Sequence, residues 1–366
     1  MQQEGKAEFE PGNAFFNPKS KLVRDLGVLA ALVYQQEQGS LRILEAMAGS
    51  GIRALRYYLE SRADYIWVNE GNHELSRLIA QNLKTTITQE NYCLTHWDAH
   101  RLFFDCFSRR DYYDLVDVDC FGTAAPYLST MLWATKLGGL MYLTSTDGRT
   151  LAGRIPDKSL QVYGSIPRSH PALQEQALRL LIGSVAQQAG AKGMGIEPIF
   201  VYFAGETYRL MLRLVRHPNL NSDNYGFLGY CHHCGDYQTI TWRKLGKVSC
   251  TCQEPNVAVS GAMWLGELHN SVYLEKMLTI ARAWQWRKVV KLLEIMQAEA
   301  DLPPYFFTLK EIGTRGNLDL PPRSTLIAAL QDQGYKASQT HINPEAIKTN
   351  ATIQGCLRVA KNCLGN

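Results

Sequence analysis

The chain is predicted to fold as an α/β protein, a doubly wound parallel sheet followed by a smaller α/β unit, and three observations carry that expectation. Between residues 42 and 145, short apolar runs alternate with amphipathic helical stretches. That is the βαβ rhythm which puts helices on both faces of a parallel sheet. The first run ends in a small-residue turn, Ala48-Gly49-Ser50-Gly51, that opens directly into a helical pattern, the arrangement that lets a ligand approach backbone N–H groups closely. Around 217–226 the pattern dissolves into turn formers (His-Pro-Asn-Leu-Asn-Ser-Asp-Asn-Tyr-Gly) before a Cys/His-rich segment, which marks a domain boundary. The division expected is a first domain over 1–218 and a second over 219–366.

Taken in order, a polar lead gives way near Phe15 to a helix that runs to about Gln38. Then follow a strand over 42–47, a helix over 52–61, a strand over 65–69, a helix over 73–84 and a strand near 93–97. A strand over 113–118, a helix over 127–136 and a strand over 139–145 continue the series. A helix over about 171–189 leads to a closing hairpin, Glu197 to Phe203 and Thr207 to Val215. Beyond the boundary come a helical pair from about 270 to 300 and an α/β end with Phe306, Leu326, Leu330 and Tyr335 as candidate core positions. Right-handed crossovers place the loops at Gly49, Glu70, Asp98 and Asp119 along one sheet edge, where a single site would form.

Composition bounds the possibilities. A chain of 366 residues can bury two separate cores. Its hydrophobic content of 46% and charged content of 20% describe an ordinary globular protein, and no apolar stretch approaches the ~20 residues of a membrane span. The mixed-charge N-terminus shows neither a secretory signal nor an Arg-rich transit peptide, so a cytosolic enzyme is expected. Nine cysteines are too few for a disulfide scaffold, which favours metal binding for any cluster. The net charge of +4 permits a polyanionic partner without requiring one.

The order of polar groups along the sheet edge narrows the chemistry. After the glycine turn, the second strand ends in Asn69-Glu70, an acid placed for ribose hydroxyls. A further element ends in Asp98-Ala99, and a fourth in Asp117-Val-Asp119-Cys120-Phe121-Gly122. Glycine turn, acid, acid and polar–aromatic loop fit an S-adenosylmethionine (SAM) methyltransferase better than a dehydrogenase. The latter would show G-x-G-x-x-G where this turn reads Ala-Gly-Ser-Gly-Ile-Arg53. The last loop suits methylation of an exocyclic amine. An aryl amine is a poor nucleophile because its lone pair is delocalised into the ring. A carboxylate accepting one N–H (Asp119) and a carbonyl accepting the other (Cys120) free that lone pair, while an aromatic (Phe121) stacks on the base. The bland alternative is an acidic strand end with a buried Phe.

Cys231-x2-Cys234 and Cys250-x-Cys252, with fifteen residues between the pairs, fit a four-thiolate zinc ribbon. The second pair is tighter than the usual C-x-x-C, His232 and His233 are alternative ligands, and free buried thiols are the competing reading. Arg282-Ala-Trp284-Gln-Trp286-Arg287-Lys288 interleaves bases with aromatics, as nucleic-acid surfaces do. A helix with Trp on its core face accounts for the same pattern.

Over nearly its whole length the chain resembles the tRNA guanosine-26 N2,N2-dimethyltransferase family. The marks are Phe16-Asn-Pro with Arg24-Asp25, Leu44-Glu45-Ala-Met-Ala-Gly-Ser-Gly-Ile-Arg53, Asp119-Cys-Phe-Gly122 and Tyr208-Arg209. Gly261-Ala-Met-Trp-Leu-Gly-Glu-Leu-His269 and Ser338-Gln-Thr-His341 with Ile347-Lys-Thr349 complete them. No general property of a SAM fold calls for the last two. The resemblance implies a class I SAM-methyltransferase sheet, a SAM site lined by Arg24, Glu45, Gly49, Arg53, Glu70, Asp98 and Ala99, and Asp119 as catalytic carboxylate. It also implies zinc on the four cysteines, a C-terminal domain that grips tRNA, and one or two methyl groups added to guanine N2. The sequence departs from the family pattern in two places. Cys120 stands where Pro is usual, which keeps the carbonyl but not the fixed φ. Glu70 stands where Asp is usual, which lengthens the reach by one methylene. A tRNA-binding protein that has lost turnover is the alternative of a different class. An N6-adenine or small-molecule methyltransferase would leave the last 140 or so residues without a purpose.

Overall fold

The computed structural model describes residues 1–252 and 256–364. A hairpin of β1 (Gln2–Glu4) and β2 (Ala7–Phe9) occupies what reads in sequence as a polar lead. Then come α1 (Lys21–Gln38), β3 (Arg42–Glu45), α2 (Ile52–Ser61), β4 (Tyr65–Asn69), α3 (Ser76–Lys84), β5 (Tyr92–Thr95), α4 (Ala99–Arg109), β6 (Tyr113–Val118) and β7 (Thr135–Ser145). Two short helices, α5 (Gly148–Leu151) and α6 (Pro156–Tyr163), precede α7 (Leu173–Gly190) and the hairpin β8 (Gly195–Ala204) and β9 (Thr207–Val215). The seven strands order as β5-β4-β3-β6-β7-β9-β8, parallel except for β9, which is antiparallel to both neighbours.

Strand periodicity builds the two cores. Ile43, Leu115 and Leu140 point to one face and pack with α1 and α2. Leu44, Val116 and Met141, one residue on, point to the other and pack with α4 and α7. The helices start and stop where local chemistry dictates. Asn17 accepts from the Lys19 amide just before Pro18 ahead of α1, Gly39 ends α1 at φ 78°, and Asp98 caps α4 by accepting from the amides of His100 (2.9 Å) and Arg101 (3.3 Å). Residues 127–136 do not form the helix their apolar spacing predicts. They make two 3-10 turns, Ala125–Tyr127 and Met131–Trp133, because strand pairing takes the chain from Thr135 onward, opposite Tyr113.

The second half is two small three-stranded sheets joined by helices. The first, β11-β10-β12, comprises β10 (Tyr225–Cys231), β11 (Tyr237–Ile240) and β12 (Val257–Trp264). It is tied to α7 by the Gln187 amide donating to Tyr225 Oη (2.6 Å) and by Arg179 donating to the Trp264 and Gly266 carbonyls. Helices α8 (Ser271–Ala283) and α9 (Arg287–Ala298) return to the α1 side of the large sheet, where Tyr273 Oη donates to the Ala30 carbonyl (2.8 Å). The last segment holds β13 (Phe307–Thr308), α10 (Leu309–Gly316), α11 (Arg323–Asp332), β14 (Ala337–Gln339), β15 (Ala346–Thr349) and α12 (Ile353–Leu364). Phe306, Leu326 and Leu330 are fully buried there, while Tyr335 is half-buried. Among the described residues, no helix is long and apolar enough to cross a membrane.

Candidate active site

The C-terminal ends of β3, β4 and β6 and the paired ends of β7 and β9 surround a cavity of about 290 Å³. Its floor is the glycine turn. Gly49 and Gly51 sit at φ 56° and 81°, a region that side chains resist, and a Cβ on Gly49 would lie 3.6 Å from the Phe15 carbonyl oxygen. Glu70 closes the turn by accepting from the Gly49 amide (2.8 Å) and, with its other oxygen, from the Asn72 amide (2.9 Å). Asn69 ties three strand ends together. Its side-chain amide donates to the Ala46 and Trp97 carbonyls, and its oxygen accepts from the Trp97 amide and Thr95 Oγ1. Ser50 lines the cavity with a buried hydroxyl that has no hydrogen-bond partner among the described residues, so the wall still offers a polar group.

Asp119 is held between two arginines. Arg53 Nη2 donates to Oδ2 (2.6 Å), and Arg209 Nη2 forms an ion pair with Oδ1 at 3.0 Å. Burial by itself would raise the carboxyl, but Arg209 and Arg53 hold it well below the usual carboxylate range. Arg53 also donates to Asp117 Oδ2 (3.0 Å), which Tyr57 Oη reaches at 2.7 Å. Glu45 lies behind them, fully buried, facing the charges of Asp117 and Arg53. Burial, and then the charge of Asp117, push its carboxyl well above the usual range, against the pull of Arg53.

Cys120 faces inward, with Sγ donating to the Thr144 carbonyl (3.1 Å), and burial pushes its thiol up to about 12. A thiol that stays protonated is no nucleophile. Phe121 is 71% exposed and meets Phe15, 67% exposed, edge to face at 4.8 Å. Two aromatics left open at the mouth of a polar cavity offer faces on which a planar ring could stack.

Of the sequence-predicted residues, Arg24, Gly49, Arg53, Glu70, Asp119, Cys120 and Phe121 line this one cavity. Arg24 is oriented by the N-terminal hairpin, donating to both Glu4 oxygens (2.7 and 2.5 Å) and to the Asn17 carbonyl (3.1 Å). Glu45, Asp98 and Ala99 are not among the lining residues. Glu45 lies behind Arg53, and Asp98 is exposed as the cap of α4, with Ala99 buried beneath it. Sequence reasoning missed the role of Arg209 as the second clamp on Asp119. Its signal was a cation near the start of an otherwise apolar strand, Thr207-Tyr-Arg-Leu-Met-Leu.

The four cysteines converge as well. Cys231 and Cys252 sulfurs lie 3.6 Å apart, those of Cys234 and Cys250 3.3 Å, and all four fall within 4.8 Å of one another. Zinc held by thiolates at about 2.3 Å in a tetrahedron separates sulfurs by about 3.8 Å, so the donor set and its spacing fit zinc. His232 and His233 stay outside the group, and Arg315 clamps the turn by donating to both their carbonyls. A second group, His269, Glu299 and His341, brings the two distinctive C-terminal motifs together in the interior. Lys348 already supplies a cation there, 2.8 Å from Glu175 and 3.8 Å from Glu299, so this is a buried ionic network that ties α7, α9 and the last segment. The Trp284–Trp286 pair is half-buried, packed against the α1-side core, with Lys21 and Arg56 over the Trp286 ring at 5.2 and 5.6 Å.

Comparisons with known proteins agree with this geometry. The family described as N2,N2-dimethylguanosine tRNA methyltransferase matches residues 2–361. A tRNA (guanine(26)-N(2))-dimethyltransferase of Pyrococcus abyssi is 28% identical over 93% of the chain and 90% of its own length. That of Thermococcus kodakarensis is 29% identical over 95% of the chain and 93% of its length. Among solved structures, Trm1 from Pyrococcus horikoshii in complex with S-adenosyl-L-methionine superimposes with a TM-score of 0.85 at 26% identity, covering 98% of both chains.

Proposed function

The chain belongs to the N2,N2-dimethylguanosine tRNA methyltransferase family, and from that premise we propose that it methylates the exocyclic N2 of a guanosine in tRNA, with position 26 the expected target. The observation that carries the reading is Asp119 paired with two arginines, beside an exposed aromatic pair and a glycine turn in one cavity. The turn at Gly49, with Glu70, Arg24 and Arg53, would hold SAM. Glu70 retains acceptor capacity for ribose hydroxyls beyond the two amides it caps. Bound there, SAM supplies an electrophilic methyl group.

The chain itself positions and polarises the amine. Each oxygen of Asp119 is engaged by one arginine, and the side chain is 31% exposed at the mouth, so lone pairs remain for a substrate N–H. A carboxylate this weakly basic does not remove a proton beforehand. It accepts a hydrogen bond, and the proton departs to solvent once the N–C bond has formed. The Cys120 carbonyl accepts the second N–H and Phe121 stacks the base, which must leave its helix at a cost of a few kcal/mol, on the order of one stacking step. In this reading residues 1–218 carry the chemistry and 219–366 hold tRNA, with zinc on Cys231, Cys234, Cys250 and Cys252 as a structural staple. A cytosolic location belongs to the same proposal.

The test is transfer from labelled SAM to unmodified tRNA with nucleoside analysis by mass spectrometry. N2-methylated guanosine should form, vanish when G26 is changed, and vanish in Asp119→Ala while tRNA binding persists. Wild-type turnover by Asp119→Ala would remove the role assigned to that residue. No incorporation by the wild type, despite tRNA binding, would favour a binding protein without turnover.

A further inference from the structure

A second cavity, of about 350 Å³, adjoins the first and shares Thr146 with it. Strand geometry makes the two neighbours. Along β9, Thr207 and Arg209 face the catalytic cavity, and Tyr208, between them, faces the second. Arg149 and Arg154 stand on its rim, both exposed, and neither guanidinium has a hydrogen bond or ion pair among the described residues. Phe203 and Tyr208 form its aromatic wall, with ring centroids 4.9 Å apart. Gln174 presents a buried side-chain oxygen with no hydrogen-bond partner among the described residues. Glu206 is the single acid among the lining residues, so cations are in excess.

We propose that this cavity binds the nucleotide next to the flipped guanosine, with Arg149 and Arg154 on its phosphates and the Tyr208–Phe203 wall against its base or sugar. The assignment rests on the tRNA-methyltransferase reading of the first cavity and extends it. A base drawn into a pocket leaves its strand neighbours at the rim, and a polymer substrate needs contacts there that a free nucleoside would not. Unpaired arginines beside aromatics meet that need, because cations track the backbone and rings tolerate any base. The buried Gln174 oxygen supplies an acceptor for a base amine or a sugar hydroxyl.

The experiment is steady-state methylation of tRNA by the full chain carrying Arg149→Gln and Arg154→Gln together, at several salt concentrations, alongside SAM titration. KM for tRNA should rise several-fold with SAM affinity unaltered, and the slope of log affinity against log salt should shrink by about 1.4–1.8, the loss of two phosphate contacts. Glu206→Gln removes the opposing charge and should lower KM. A double variant with wild-type KM and salt slope, in a preparation whose wild type is active, overturns this assignment alone. An inactive wild type overturns the methyltransferase reading beneath it.

Discussion

Replacing Arg209 by Gln tests the electrostatic design of the site most directly. Arg209 Nη2 lies 3.0 Å from Asp119 Oδ1, and both groups are held by the β9 and β6 strand ends. An opposite charge at such a distance lowers a carboxyl by about 1–3 pH units, equivalent to about 1.4–4 kcal/mol. The 31% exposure of Asp119 puts the effect toward the lower end, because solvent screens part of it. With Arg209 gone, Arg53 remains but is shared with Asp117, and the burial that raises Asp119 is then opposed by one cation instead of two. The sign follows. In the wild type the carboxyl is depressed, so the ionised, amine-accepting form persists as pH falls through the ordinary carboxylate range. In the variant the carboxyl titrates higher, and activity is lost earlier on acidification. Single-turnover methylation followed from pH 8 downward until activity is lost should place the acid limb of Arg209→Gln about 1–2 units above that of the wild type. Superimposable acid limbs would refute the clamp, whatever the variant's absolute rate.

Three further outcomes are expected. Cys120→Ala should keep most of the transfer rate, and Cys120 should resist alkylation at pH 8, since burial holds its thiol near 12; rapid labelling would show the loop to be more open than described. Lys348→Met should lower stability by about 3–5 kcal/mol, because it leaves the buried carboxylates of Glu175 and Glu299 short of a cation; an unfolding midpoint in denaturant within 1 kcal/mol of wild type, roughly the scatter for a surface change, would contradict the network. Cys234→Ser should abolish the one zinc per chain expected from elemental analysis, and a full equivalent retained by the variant would place the metal elsewhere.

Sequence alone determined whatever depends on local pattern. The alternation of apolar runs set the strands and the two-faced sheet, and Gly49 and Gly51 marked the turn because only a residue without Cβ relaxes at those angles. Paired cysteine spacing announced the thiolate cluster. The fold of the N-terminal ten residues was not legible, because a three-residue strand carries too little periodicity, and neither was the role of Glu4 in holding Arg24. Residues 127–136 misled for the opposite reason: their apolar spacing is helical, but pairing with β6 outweighs it from Thr135 onward. Asp98 reads as a strand-end acid in sequence, and in the structure one of its carboxylate oxygens caps α4, a helix that no glycine or proline announces. Only the tertiary structure decided that Asp119 lies between Arg53 and Arg209, 66 and 90 residues away in the chain, and that Glu45 is buried behind them with its carboxyl pushed upward. Charge balance in a buried site is set by distances across the sheet, and one-dimensional order does not contain those distances.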